Sequence, residues 1–227
     1  KFNIHEKSLI FKILKHIEKI SVNYADFVIT VNDAIKRLVE SRTSPKSEIK
    51  VIMNTVDTGI VKKRVAKAHN DFNIFYTGTI LKISGLQFVI KVLYNLGINN
   101  IKLHILGEGP YRTVLESLVK KLNLDRRVKF YGYAEQENIP DYLSICDVGI
   151  IPQENNIMTD YSFANKLAEF VYHGIPVIAT ELSSTKDYFD SDCIYFTKSG
   201  DVESIEKAIV ELYSSKDLRK KLSENAS

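Results

Sequence analysis

The sequence has few of the features that mark membrane-spanning or secreted proteins. No apolar run reaches the ~18 residues that a membrane-spanning helix requires, and no stretch reads as a secretory signal. Cys146 and Cys193 lie in or beside apolar segments without metal-like spacing, which indicates buried free thiols. The sequence has neither internal repeats nor low-complexity segments. These absences favour a globular, cytoplasmic protein.

The composition fits one large domain or a domain and a half, since 44% of the 227 residues are hydrophobic and 26% are charged. Residues 1–70 hold 14 Lys/Arg against 7 Asp/Glu, whereas the remainder holds 17 against 21. A basic front can mark an anionic partner such as a membrane surface, although solvated helix faces explain most such cases. We expect no nucleic-acid partner. The chain starts at Lys1 without a methionine, which suggests the later part of a longer protein.

Short, continuously apolar segments alternate with segments of helical periodicity along the chain. Strands are predicted over Asp26–Val31, Ile49–Ile52, Asn73–Thr77, Ile101–Leu106, Val128–Tyr131, Asp147–Ile151, Val177–Ala179 and Ile194–Phe196. Helices are predicted over Gly85–Leu96, Tyr111–Leu122, Ile139–Ile145, Ala164–Tyr172 and Val202–Leu212. Strands of this kind are typical of parallel sheets covered by helices on both faces. The alternation therefore predicts a doubly wound α/β domain from about Asn73 onward.

Three loops fall where an open parallel sheet binds ligands, at the carboxyl ends of its strands. The loop 78-GTILKISG-85 ends on a glycine that opens a helix, where free N–H groups could hold a phosphate oxygen; a plain β-to-α turn is the alternative. The loop 107-GEGPYR-112 is half of a dinucleotide fingerprint, because Arg112 replaces its third glycine. The third loop leads into 162-SFANKLAEFVYHGIPVIAT-180, where Lys166 and Glu169 share one helix face before a buried strand.

These segments resemble a known family. Residues 101–152, which open on 101-IKLHILGEGP-110, and 166-KLAEFVYHGIPVIAT-180 are similar to the nucleotide-sugar-binding half of group 1 glycosyltransferases, the retaining family 4 of the GT-B fold. The segments 25-ADFVITVN-32 and 49-IKVIMNTVD-57 resemble the end of the family's N-terminal domain, and Val202–Asn225 its closing helices. The resemblance implies a Rossmann-like, GT-B type donor domain over residues 72–227, a linker over 62–71 and a partial second α/β domain over 1–61.

The resemblance also implies an activity, which is sugar transfer from a nucleotide-diphosphate donor to a saccharide or lipid-linked acceptor hydroxyl without a metal or other cofactor. In the family, the carboxylate at the Glu169 position binds both ribose hydroxyls and a cation near the Lys166 position faces the diphosphate. A carboxylate suits a diol because it accepts hydrogen bonds without donating any, and lysine acts on phosphates as a point charge. The alternative is an ordinary helix ion pair on solvent.

Further donor-binding residues follow from the resemblance: Gly78, Thr79, Lys82, Ser84, Gly85, Gly107, Gly109, Tyr133, Asp160, Tyr161, Ser162, Asn165 and Leu167. Thr79 and Ser84 stand where the family usually has an arginine and a lysine. Tyr161 falls on the first of the family's paired glutamates, and Asp160 or Glu154 could supply the missing carboxylate.

Three other functions stay open: a non-catalytic partner subunit that binds a nucleotide sugar, a GT-B nucleotide-sugar epimerase, and a dinucleotide oxidoreductase. His104 is expected to be a satisfied core histidine, and Asp190 and Asp192 to lie in a turn. The amphipathic segment Leu9–Ile20 is expected to pack its isoleucines against its own domain, and peripheral contact with an anionic membrane at the inner face is the alternative.

Overall fold

The computed structural model of the chain describes residues 8–59 and 61–226, so parts of the predicted region 1–61 lie outside the described residues. The helices are α1 (Leu9–Tyr24), α2 (Asp33–Thr43), α3 (Leu86–Leu96), α4 (Arg112–Lys121), α5 (Ile139–Tyr142), α6 (Ile157–Asp160), α7 (Asn165–Tyr172), α8 (Ser183–Lys186), α9 (Val202–Ser214) and α10 (Lys216–Ala226). The strands are β1 (Val28–Thr30), β2 (Ile49–Val51), β3 (Phe72–Thr77), β4 (Ile101–Leu106), β5 (Val128–Gly132), β6 (Val148–Ile151), β7 (Val177–Thr180) and β8 (Tyr195–Thr197).

The main sheet has six parallel strands in the order β5-β4-β3-β6-β7-β8. The strand order reverses between β3 and β6, which is the topology of a doubly wound α/β domain. The prediction of this fold class is confirmed, and every predicted strand is present with its ends shifted by at most a few residues. Ligands bind such sheets outside the carboxyl ends of the strands at the reversal.

Both faces of this sheet are buried, which explains the continuously apolar strands. On one face, α3, α4 and α9 cover side chains such as Ile74 and Leu103, and on the other, α5 and α7 cover Phe75 and Val177. All six residues of β3 are buried. A strand covered on both faces has no solvent side, so it carries no polar alternation.

His104 of β4 is the satisfied core histidine that the sequence predicts. Its ring nitrogens lie 2.8 Å from Asn73 Oδ1 and 2.7 Å from Tyr131 Oη, and its ring stacks on Phe75. Burial lowers the pKa of His104 to about 4, so the ring is neutral at physiological pH. The turn predicted at Asp190 is also confirmed, because Asp190 Oδ1 accepts a bond from the Asp192 N–H.

The predicted linker has no helix or strand, but it is held firmly against the main sheet. Arg64 donates to the carbonyl oxygens of Leu143, Cys146 and His173 at 3.0, 2.6 and 3.1 Å. Tyr172 Oη donates to the carbonyl of Val61. Burial lowers the pKa of the Arg64 guanidinium, which is the expected cost of desolvating a charge.

The first part of the chain is built from α1, α2 and the two-stranded parallel sheet β1-β2. The expectation that the isoleucine face of α1 packs against its own domain is wrong for the described residues. Ile13 and Ile17 are 49% and 52% exposed, because α2 is the one described element that α1 contacts closely. Ile29 of the small sheet is exposed as well, and so are Phe27 and Ile52, which adjoin its strands. No helix within the described ranges has the length and apolarity to cross a bilayer.

Candidate functional site

A cleft of about 670 Å³ lies at the reversal of the main sheet. Its walls come from the loops that follow β3, β4, β5 and β6, and from the first turns of α7. The predicted site residues that line it are Gly78, Thr79, Ser84, Gly107, Tyr133, Asn165, Lys166 and Glu169. The predicted site residues outside its lining are Lys82, Gly85, Gly109, Asp160, Tyr161, Ser162 and Leu167.

The loops after β3 and β4 pack backbone against backbone and form one wall. The amide of Gly78 donates to Leu106 O and that of Ile80 to Glu108 O, both at 2.8 Å. A Cβ on Gly107 would lie 2.0 Å from Gly78 O, and one on Gly109 would lie 2.3 Å from Ile80 O. Both glycines are therefore required by loop packing. This accounts for the half fingerprint and removes the feature on which a dinucleotide oxidoreductase rested.

The end of the loop after β3, residues 78–85, is held by hydrogen bonds within the loop. Ser84 Oγ donates to Thr79 O at 3.0 Å and accepts from the Leu81 amide, so the hydroxyl is engaged inside the loop. The Gly85 amide donates to Lys82 O, and a Cβ on Gly85 would lie 1.7 Å from Pro152 O. The start of α3 is thus packed beneath the segment that follows β6.

Lys166 extends across the cleft from α7. Its Nζ lies 3.9 Å from the centroid of the Tyr76 ring and 3.0 Å from the position of a Cβ on Gly78. The ring face attracts the ammonium group and fixes its direction. Lys166 is the basic side chain in the cleft lining, and no other described lining residue carries a positive charge. Arg112, at the end of the loop after β4, is instead paired with Glu108 and Glu116.

Glu169 lies one turn further along α7, where its carboxylate is half-buried. No ion pair joins Glu169 to Lys166, and no described residue donates a hydrogen bond to its carboxylate. Burial raises the pKa of Glu169, an effect that the nearby Lys166 opposes. An ordinary helix ion pair between the two is therefore not what the structure contains, and the carboxylate keeps its acceptor capacity.

The start of α7 has no side-chain cap, because Ala164 occupies the N-cap position. The first N–H groups of a helix have no partner within it, and the helix dipole makes this end favourable for anions. Positive character from the helix start and from Lys166 therefore lies in the same cleft, with the Lys166 ammonium beside the loop at Gly78.

The carboxylates proposed from the sequence as replacements for Tyr161 are bonded elsewhere. Asp160 accepts from the amide and the hydroxyl of Ser183, both at 2.9 Å, and Glu154 accepts from Gln87 Nε2 at 2.9 Å. Neither lines the cleft. The acidic side chains in the described lining are Glu108 and Glu169.

Sequence reasoning missed several lining residues, among them Tyr76, Thr77, Gln153 and Phe163. Thr77 Oγ1 and Gln153 Oε1 are buried without a hydrogen-bond partner among the described residues. Tyr76 and Thr77 end β3, and strand ends at the sheet reversal are the signal that could have found them. Tyr133 was predicted, and its ring is 72% exposed at the cleft rim. No group of three or more His, Cys, Asp or Glu side chains within the described ranges could hold a metal ion.

Comparison with known proteins places these features in a family. The family model described as "Glycosyl transferases group 1" matches residues 57–227. The chain is 22% identical over 223 residues to N-acetyl-alpha-D-glucosaminyl L-malate synthase of Bacillus anthracis, a match that covers 94% of the chain and 57% of that protein. It is 27% identical over 172 residues to lipopolysaccharide 1,6-galactosyltransferase of Escherichia coli strain K12, covering 75% and 46%. The chain thus spans about half the length of these relatives.

Solved structures share the fold at low sequence identity. HepE of Anabaena, solved in complex with UDP and glucose, superposes with a TM-score of 0.78 at 17% identity, covering 93% of this chain and 61% of that chain. A glycosyltransferase from Rickettsia africae gives a TM-score of 0.78 at 16% identity, covering 100% and 62%. These likenesses show an α/β fold of the GT-B type.

Proposed function

Since this chain belongs to the group 1 glycosyltransferases, we propose that it binds a nucleotide-diphosphate sugar and serves as the donor-side part of a retaining glycosyltransferase of family 4. The acceptor is a hydroxyl of a saccharide or of a lipid-linked saccharide. The observation that carries the proposal is the placement of Lys166 and Glu169 in one cleft at the sheet reversal, without an ion pair between them.

The proposed chemistry is mainly electrostatic. As the bond between sugar and diphosphate breaks, negative charge grows on the leaving diphosphate. Lys166 and the uncapped start of α7 stabilise that charge, because both lie at the same wall of the cleft. Glu169 accepts hydrogen bonds from the two ribose hydroxyls and so fixes the nucleotide. No step of the proposal requires a metal or an organic cofactor.

The first test is calorimetric titration of the 227-residue chain with UDP, GDP, ADP and NAD. We expect one nucleoside diphosphate to bind, and Glu169→Ala to weaken it by more than ~1 kcal/mol, because charge-assisted hydrogen bonds are lost. Glu224→Ala is the matched control, since Glu224 lies on the surface of α10 and pairs with Lys220. Equal affinity of the Glu169→Ala variant would contradict the ribose role, and preference for NAD would contradict the family function.

Turnover separates the proposal from its two nearest alternatives. Lys166→Ala in the longest active form of the protein should lower kcat sharply while the fold stays intact, because stabilisation of the leaving group is lost. A non-catalytic partner subunit would show no transfer of its own. An epimerase would release a changed nucleotide sugar instead of a free nucleoside diphosphate.

The proposal also includes a location, which is the cytoplasm with peripheral contact at the inner face of the membrane. Supporting it, α1 exposes Ile10, Ile13 and Ile17, and its lysines add positive charge. Such helices lie in the interface of anionic bilayers. Cosedimentation with vesicles of phosphatidylglycerol, compared with vesicles of phosphatidylcholine, tests this contact. Failure to bind the anionic vesicles would contradict the proposed membrane contact.

A further inference from the structure

The start of α7 depends on support from outside the helix. It carries Asn165 and Lys166 into the cleft, yet the N-cap residue Ala164 makes no side-chain hydrogen bond to it. A helix start without a cap is prone to fraying. The position of the helix start, from which Lys166 extends to the Tyr76 ring, is therefore set largely by residues 160–163, which we call the anchor segment.

Three contacts hold the anchor segment. The carboxylate of Asp160 accepts from the amide and the hydroxyl of Ser183, both at 2.9 Å. The carbonyl oxygen of Tyr161 accepts from Asn32 Nδ2 at 2.9 Å. The ring of Phe163, which lines the cleft, meets the ring of Tyr188 edge to face, with 5.6 Å between centroids. The segment is thus fixed at its beginning, middle and end.

Two of these contacts lead to the start of α2. Asn32 is fully buried and caps α2, since its Oδ1 accepts from the Ile35 amide at 2.7 Å. Tyr188 Oη accepts from the Asp33 amide at 2.9 Å and donates to Asp33 Oδ2 at 2.7 Å. Residues 32 and 33 therefore contact the anchor segment, one directly and one through Tyr188, although they lie 129 and 155 residues from their partners.

We infer that Asn32 and Tyr188 are positioning residues that hold the anchor segment so that Lys166 faces the diphosphate, and that they thereby couple the first part of the chain to nucleotide binding. The inference rests on the proposed function. A diphosphate bound beside Lys166 restricts the start of α7 and, through it, the anchor segment. Because coupling between two sites is reciprocal, the contacts at Asn32 and Asp33 become more stable when the nucleotide binds.

Two variants remove the coupling with little other change. Tyr188→Phe deletes the hydroxyl but keeps the ring on Phe163, and Asn32→Ser keeps a capping oxygen but cannot reach Tyr161 O. Each substitution should weaken the binding of whichever of UDP, GDP and ADP the wild type binds. The expected loss of affinity is about fivefold, which corresponds to the contribution of one hydrogen bond. Arg37→Gln is the control, because Arg37 pairs with Asp187 without contacting the anchor segment. Thermal melting shows which variants remain folded.

Hydrogen exchange gives a readout that a merely structural role would not change. Binding of the nucleotide should slow amide exchange at residues 33–37 in wild type and in Arg37→Gln, but not in Tyr188→Phe. Unchanged affinity in both positioning variants, or equal slowing of exchange in Tyr188→Phe, would overturn this inference alone. Absence of binding to all three nucleotides by wild type would overturn the proposed function and this inference with it.

Discussion

At the scale of single residues, Glu169 meets opposing demands of stability and binding. Its carboxylate is half-buried without a hydrogen-bond donor among the described residues, and burial raises its pKa. A carboxyl group whose pKa is higher in the folded than in the unfolded state destabilises the fold once it is ionised. We interpret this cost as the consequence of keeping two acceptor oxygens unused in a ligand cleft.

Replacing Glu169 should therefore separate stability from binding. Glu169→Gln is expected to raise the free energy of unfolding at pH 7, because a neutral amide avoids the cost of burying a charge. This gain in the free energy of unfolding should shrink as the pH falls through the raised pKa of Glu169 towards ~4.3, the ordinary glutamate pKa, since the folded wild type then takes up a proton before the unfolded state does. Urea unfolding at pH 7 and pH 4.5 measures the difference, with Glu224→Gln as the surface control. A gain that grew on acidification would contradict the assignment.

At the scale of elements, the two ends of α3 show how glycine serves different purposes. Gly85 and Gly97 both have left-handed backbone, with φ of 75° and 61°. A Cβ on Gly85 would lie 1.7 Å from Pro152 O, whereas one on Gly97 would meet nothing within 4 Å. Gly97 therefore only allows the left-handed backbone that ends the helix. Gly85 allows left-handed backbone too, and it also permits the segment after β6 to pack against the loop after β3.

Alanine at these two positions should separate the two effects. Gly97→Ala is expected to cost about 1–2 kcal/mol, the penalty of left-handed backbone for a residue with a Cβ. Gly85→Ala should cost a further ~1–3 kcal/mol, because the backbone at Pro152 must move away, and it should also weaken nucleotide binding. Chemical unfolding of both variants gives the comparison. Equal destabilisation would show that the close approach at Gly85 has no energetic weight.

The role of the linker, residues 62–71, is also decided by packing. Arg64 donates to three carbonyl oxygens near the ends of α5 and α7. That of Leu143 also accepts from the Cys146 amide, whereas those of Cys146 and His173 lose this donor when Arg64 is removed. Arg64→Ala should lower the free energy of unfolding by at least ~2 kcal/mol. Arg126→Ala, at an exposed arginine, should change it by no more than ~0.5 kcal/mol. Similar effects of the two substitutions in urea unfolding would mean that the linker does not depend on Arg64.

At the scale of the whole molecule, the described chain has one part with an extensive buried core and one part with little buried surface. The six-stranded sheet is buried on both faces, whereas α1 has no buried residue and β1 pairs only with β2. An isolated pair of strands is marginally stable at best in water, so this part depends on what packs against it. We propose that residues 62–71 separate two domains and that the first of them is incomplete in packing.

Native-state hydrogen exchange tests this division. Amides of β3 and β4 should exchange only through global unfolding, whereas those of α1, β1 and β2 should exchange through local opening of much lower free energy. The contacts of Asn32, Asp33 and Arg37 with the main part should protect the start of α2 more than α1. Uniform protection across both parts would contradict the proposed boundary.

The sequence by itself determined the positions of the strands along the chain, the doubly wound fold, and the pair Lys166 and Glu169 on one face of a helix. These features follow from local patterns, since burial on two faces requires apolar runs and a shared helix face requires a spacing of three. Only the tertiary structure decided that Gly107 and Gly109 serve loop packing, that Asp160 bonds Ser183, and that Asn32 holds the carbonyl of Tyr161. Such contacts join residues far apart in the chain, and a residue type does not specify its distant partner.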